Sequence, residues 1–156
     1  VQDICLHPEY TEPLREELHS QYKHFEQTGQ GLPLMDSFIK ESARLTPVES
    51  SKLSEFLFWI SSFLTLSVST RRYALRPFTF SDGTELHVGD WACTPVQAIM
   101  QNAEQYPEPL QFSGFRFADP ELFDSTGKFQ TIQPTPSKLV TASNAWHVWG
   151  TGRMVW

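Results

Sequence analysis

Apolar positions recur at helical spacing through the first third of the chain. Tyr10, Leu14, Leu18, Tyr22 and Phe25 fall three or four residues apart, with Glu12, Arg15, Glu16 and Glu17 between them. Residues 8 to 25 therefore predict a surface helix that buries one stripe. The TGQG at 28 to 31 breaks the period. A second helix is predicted in LPLMDSFIKESARLTP, with Leu34, Met35, Phe38, Ile39 and Leu45 on its core side. It ends near Pro47, which disfavours a helical Thr46. Leu53 to Val68 is the most apolar window and carries one charge, Glu55. Its roughly sixteen residues fall short of the ~20 a spanning helix needs, so a buried helix or an exposed apolar segment is predicted there.

From Tyr73 the period changes to two. Phe78 and Phe80 lead to Asp82-Gly83, and Leu86 and Val88 follow, the pattern of a β-hairpin with a glycine-permitted turn. WACTPV predicts a further strand, and PVQAIMQNAEQYP a short helix closing at Pro107. Residues 107 to 145, rich in Pro, Ser, Thr and Phe, predict a long loop region that needs something to pack on. The fold class expected is mainly α with a small β-region, in one domain.

Composition narrows the partners. Of the 156 residues 40% are hydrophobic and 19% charged, a globular balance. The net charge of −6 leaves no basic stripe to recommend nucleic acid or an anionic bilayer. Cys5 and Cys93 match no zinc or CxxC spacing, which suits a reducing compartment or simply two buried apolar thiols. His7, His19, His24, His87 and His147 are scattered without metal-type spacing. The opening VQDICLHPEY has no basic leader pattern and reads as entered partway through a helix.

Two charges in KESARL stand out. Glu41 and Arg44 lie at i and i+3 on one helix face, within pairing reach. Alone, such a pair is a solvated surface contact worth under about 1 kcal/mol. Arg116, in the proline- and aromatic-rich YPEPLQFSGFRF, offers five fixed donors suited to a buried carboxylate. Glu41, Arg44 and Arg116 would then form one buried network.

The order of these landmarks resembles a family. HPEYTEPLREEL, the ExxR of Glu41 and Arg44, FTFSDGTELHVGDWACTP, YPEPLQFSGFRF and the terminal VWGTGR are similar to consecutive landmarks of the C-terminal part of a cytochrome P450, a haem-thiolate monooxygenase, in its fungal form. The resemblance covers nearly the whole chain except about residues 51 to 67. It implies a partial cytochrome P450 fold: C-terminal helices, β-hairpin region and meander. Glu41, Arg44 and Arg116 would be the structural triad that supports the haem-side core, serving folding and haem retention rather than chemistry. Arg72, or else Arg71, matches a basic residue directed at a haem propionate. Trp149, Gly150 and Gly152 match the start of the haem loop.

The resemblance further implies haem b, a small apolar substrate of fungal secondary metabolism, an NADPH-dependent reductase and the endoplasmic reticulum membrane for a complete member, whose anchor would lie outside this segment. It also exposes departures. Seven positions after Trp149, where the family places the cysteine thiolate that ligates the iron, stands Trp156. An indole has only an N–H donor and is no axial ligand. Met154 replaces the basic residue usual before that cysteine, with Arg153 one place early. The oxygen-activating helix of the family has no counterpart here, so no catalytic residue is assigned. Residues 51 to 67 interrupt a normally short passage and read as a translated intron or a lineage-specific insertion. The chain is expected to be an incomplete part of one such domain, inactive by itself, or alternatively a haem-free remnant or interaction module.

Overall fold

The computed structural model describes residues 2–47, 69–123, 129 and 136–148. The apolar window from Leu53 and the loop from Trp149 to Trp156 lie outside the described residues. Helix α1 spans Gln2–Leu6, and a 3-10 turn at Pro8–Tyr10 leads into α2, Thr11–Thr28. Gly29 ends α2 at φ +68, a left-handed position glycine adopts without a Cβ penalty, and its N–H donates to the Phe25 carbonyl at 2.7 Å.

Helix α3, Pro33–Leu45, opens on a proline, whose missing donor would be unpaired at that position anyway. Its own N-cap residue, Leu32, makes no side-chain cap. Glu17 of α2 supplies one: the Leu34 N–H donates to Oε1 at 2.7 Å and the Met35 N–H to Oε2 at 2.8 Å. Two orphan donors are thus satisfied and a negative charge sits at the positive end of the helix. Burial pushes the pKa of Glu17 up, and the two N–H donors oppose that rise.

The β-region is one hairpin nested in a wider one. Strand β1, Ser69–Tyr73, pairs antiparallel with β4, Trp91–Thr94, and between them β2, Phe78–Thr79, pairs with β3, Glu85–Leu86. Gly83 takes φ +88 in the inner turn, and the Thr84 N–H donates to Asp82 Oδ1 at 2.9 Å. The hairpin and the further strand are as the alternation predicted. Helix α4, Val96–Met100, stops short of the expected end at Pro107. The side chain of Asn102 accepts the Glu104 N–H, and its carbonyl accepts from Gln105 and Tyr106, a local turn that competes with helix. From Pro107 to Val148 the described chain is irregular apart from a 3-10 turn at Pro120–Leu122 and an isolated bridge between Ser143 and Trp146. The described residues are therefore mainly helical with a small β-region.

The irregular region packs on the helices. Tyr10, Leu14, Leu34 and Phe38 meet Phe115, Ala118 and Phe123 in one cluster, and Val96, Met100 and Trp146 form a second. Three expectations about burial are corrected. The α2 stripe is buried at Tyr10 and Leu14, but Leu18, Tyr22 and Phe25 beyond it are exposed, because the cluster covers only the start of the helix. On α3, Ile39 faces out while Ser37, Lys40, Glu41 and Arg44 are buried. At about 100° per residue, Leu34, Phe38 and Leu45 lie together beside those polar positions, whereas Ile39 points the opposite way. Cys5 and Cys93 are exposed rather than buried. Helix α1 buries none of its residues, and Cys93 shares the more exposed face of β4 with Trp91.

Gly114 marks a close approach. A Cβ there would stand 2.8 Å from Phe38 Cδ2 and 2.8 Å from Tyr10 Cε1, both on packed rings. Gly114→Ala is expected to cost about 1–3 kcal/mol through overpacking. A lower urea midpoint with an unchanged m-value would register it.

Candidate functional site

The first turn of sequence logic, a carboxylate and a guanidinium three residues apart on α3, closes into a buried cluster. Glu41 and Arg44 are 0% exposed and Arg116 is 3% exposed. Arg44 Nε donates to Glu41 Oε2 at 2.7 Å and its Nη2 to Oε1 at 2.9 Å, the two-pronged geometry that makes such pairs strong. Arg116 Nε lies 3.1 Å from both carboxylate oxygens, and the Ser113 N–H donates to Oε1 at 3.0 Å. The structure thus brings together the three residues singled out across YPEPLQFSGFRF and KESARL.

One carboxylate against two guanidinium groups leaves an excess positive charge in the interior. Backbone carbonyls take it up. Arg44 Nη1 donates to Met100 O at 2.8 Å and Pro109 O at 2.7 Å. Arg116 donates to Pro107 O at 2.7 Å, Gln111 O at 3.0 Å and Glu108 O at 3.2 Å. The Tyr106 ring lies 5.1 Å from the Arg44 guanidinium carbon, a cation–π contact. Glu108 holds φ +48, a left-handed conformation that costs a non-glycine residue about 1–2 kcal/mol and here accompanies a carbonyl bound to Arg116. Among the described residues every buried side-chain nitrogen and oxygen has a partner.

Pattern reading missed the remaining polar positions of the same helix face. Ser37 Oγ donates to Gly114 O at 2.9 Å and accepts the Phe117 N–H at 3.0 Å. Asp36 Oδ2 accepts the Leu139 N–H at 2.7 Å. Lys40, 2% exposed, donates to Ser137 Oγ at 2.9 Å and Lys138 O at 2.8 Å. The available signal was their spacing: 36, 37, 40, 41 and 44 fall within an arc of about 140° on one helix.

Arg72 stands elsewhere. It lies on β1 opposite Ala92 with its side chain exposed, and the side chain of Arg71 lies outside the described residues. Trp149, Gly150, Gly152 and Trp156 lie outside them as well. Among the described residues no group of three or more His, Cys, Asp or Glu side chains is placed to hold a metal ion. The chain's two thiols are both exposed, on α1 and β4. Neither thiol lies in the stretch after Trp149 where the resemblance places the axial thiolate. No described helix is long and apolar enough to cross a membrane.

Two measurements follow from the buried polar face of α3. Glu41→Gln strips the charge from between two buried guanidinium groups and is expected to cost about 3–5 kcal/mol in urea unfolding. Glu12→Gln, which removes an exposed i,i+3 pair with Arg15, is the control and should leave the midpoint in place. Burial lowers the pKa of Lys40 from 10.5 to about 8. Between those values the unfolded chain binds more protons than the folded one, so stability should rise with pH from about 8 to about 10.5 and be flat below. Lys40→Met should remove that rise from the pH profile of the urea midpoint.

No protein-family model matches the chain. Curated fungal proteins do. The cytochrome P450 monooxygenase penQ of Penicillium crustosum is 31% identical over 155 residues, and ptmQ of Penicillium ochrochloron 33% over 155. Each alignment covers 97% of this chain and 26% of the relative. The monooxygenase ltmQ of Epichloe festucae var. lolii is 34% identical over 128 residues, 77% of this chain and 21% of its own length. Nearly the whole chain thus aligns with a limited stretch of much longer proteins, and it is similar to a fragment of the fungal cytochrome P450 monooxygenases, spanning 26% of the length of the first two.

Proposed function

We propose that this chain is the stretch of a cytochrome P450 domain that braces the core on the haem side, and that its contribution is structural rather than catalytic. One observation carries the reading: Glu41, without exposed surface, fixes Arg44 and Arg116, and these fix the irregular backbone from Met100 to Gln111. Residues 1–156 form part of one such domain, with an insertion at about 51 to 67. In the longer protein, bound haem b would supply the chemistry for inserting one oxygen atom of O2 into a small apolar organic substrate, with electrons from an NADPH-dependent reductase at the endoplasmic reticulum membrane. Trp149, Gly150 and Gly152 would begin the loop that helps hold the haem there, and Arg72 would pair with a propionate.

Trp156 favours a second reading for the chain by itself. With an indole in the place of the axial cysteine, the isolated chain is a haem-free product, non-enzymatic, presenting apolar surface such as Leu75, Val88 and Trp91.

A chimera separates the two. Residues 1–148 would replace the matching stretch of a full-length relative, so that the relative's own cysteine loop follows, with and without residues 51 to 67. The version lacking 51 to 67 is expected to show the reduced, carbon-monoxide-bound absorption of a thiolate-ligated haem, and Glu41→Gln in it to lose most of that signal. Full haem content with Glu41→Gln would overturn the bracing role. The 156-residue chain mixed with haem is expected to show no thiolate-type spectrum, and such a spectrum would overturn the second reading.

A further inference from the structure

The buried face of α3 carries a cation that the Glu41 cluster does not use. Lys40 Nζ lies 4.7 Å from the centroid of the Phe117 ring and 4.8 Å from that of Trp146. Besides Ser137 Oγ and Lys138 O it approaches Ser137 O at 3.5 Å. Among the described residues its charge meets no carboxylate at ion-pair distance. Two ring faces and three oxygen acceptors enclose it instead, the chemistry by which aromatic cages hold ammonium ligands, here turned on the protein's own side chain.

We propose that Lys40 is a positioning residue: its caged ammonium holds the backbone at Ser137 and Lys138, and with it the segment 136–148 that leads into the loop starting at Trp149. The neighbouring contacts act on the same short stretch. Asp36, one turn earlier on α3, accepts the Leu139 N–H, and Trp146 Nε1–H donates to the Leu139 carbonyl at 2.9 Å. An acid and a base one helical turn apart therefore grip donors and acceptors of three successive residues. Among the described residues the segment's one bridge is that between Ser143 and Trp146. Its other ties include the Ser137 N–H to the Phe117 carbonyl at 3.1 Å, the Tyr106 hydroxyl to the Ala145 carbonyl at 2.8 Å and the packing of Trp146, while the Lys40 ammonium meets the acceptors at 137 and 138. A methionine would fill the space of the lysine stem but would donate nothing, so the cage fixes position through the three N–H directions and not through volume alone.

The other ionisable groups on the surrounding elements are Asp36, Glu41 and Arg44 of α3, Tyr106 and Arg116 beside Phe117, and Lys138 and His147 of the segment itself. Burial pulls the Lys40 pKa down to about 8, with Asp36 opposing. Loss of the proton therefore falls in an accessible range and alters the electrostatics over the Trp146 ring.

The test uses the 156-residue chain with nitrogen-15 in its tryptophan indoles and backbone amides, and needs no haem. Its outcome is thus separate from that of the chimera. The Trp146 indole resonance, assigned by its disappearance in Trp146→Phe, is expected to titrate with a midpoint near pH 8 and to stop titrating in Lys40→Met. In that variant amide exchange at Leu139 and Trp146 should rise about tenfold or more while Ser113, held by Glu41, keeps its protection. Ser137→Ala, a milder change that removes one acceptor of the ammonium, should move the midpoint to lower pH. Unchanged exchange at Leu139 and Trp146 in Lys40→Met, equal loss at Ser113, an indole resonance without the titration, or an unmoved midpoint in Ser137→Ala would each overturn the assignment.

Discussion

A carboxylate with no exposed surface sets the terms for the rest of the molecule. Glu41 draws two guanidinium groups out of water, and taking such charges inside is costly unless all their donors are met. The segment from Met100 to Gln111 has the complementary problem, a run of carbonyls with no ladder to pair them. Arg44 and Arg116 spend their remaining donors on those carbonyls. Excess charge on one side and unpaired acceptors on the other thus cancel. This explains how a region without regular structure is held to a defined course, and how Glu108 is kept in a left-handed conformation it would otherwise avoid.

The same device is repeated along α3. Asp36, Ser37 and Lys40 do for the backbone at 114, 117 and 137 to 139 what the guanidinium groups do for 100 to 111. The apolar row of Leu34 and Phe38 lies beside this polar arc and supplies the packing, but the arc supplies the directions. The β-region follows another rule, since Asp82, Gly83 and Asp90 close its turns through contacts two or three residues away, and Gly89 and Asp90 add backbone bonds to Ala74 within the same hairpin.

What the sequence disclosed follows this division. Local chemistry was legible: the alternation around Asp82-Gly83, the breaks at Gly29 and Pro47, and the i,i+3 placement of Glu41 and Arg44. Arg116 was reached by chemistry rather than spacing, because a planar donor in an aromatic loop fits a buried carboxylate. The rest of α3 was not legible. An apolar count ranks Ile39 above Lys40 for burial, and the structure inverts the two because carbonyl acceptors from residues almost a hundred positions away meet the ammonium. Leu18, Tyr22 and Phe25 continue the stripe of α2 without a cover among the described residues, since periodicity shows which face is apolar and not what lies against it. The thiols were misplaced for a similar reason: residue type predicts burial, but α1 packs Ile4 rather than Cys5 against the core and β4 turns Cys93 outward. The likeness to monooxygenases, five landmarks deep, came from motif order, which survives where pairwise identity is near a third.

The polar arc of α3 gives the helix a phase. Its five side chains address backbone groups scattered through the later chain, so they act as a row of teeth cut at one pitch. Removing a single residue between Asp36 and Arg44 would turn part of that row by about 100° against the rest. Half of the irregular region would then meet the wrong teeth, although hydrophobicity, charge and helix propensity were all preserved. The shape of the loops is in this sense written in the winding of a helix rather than in the loops themselves.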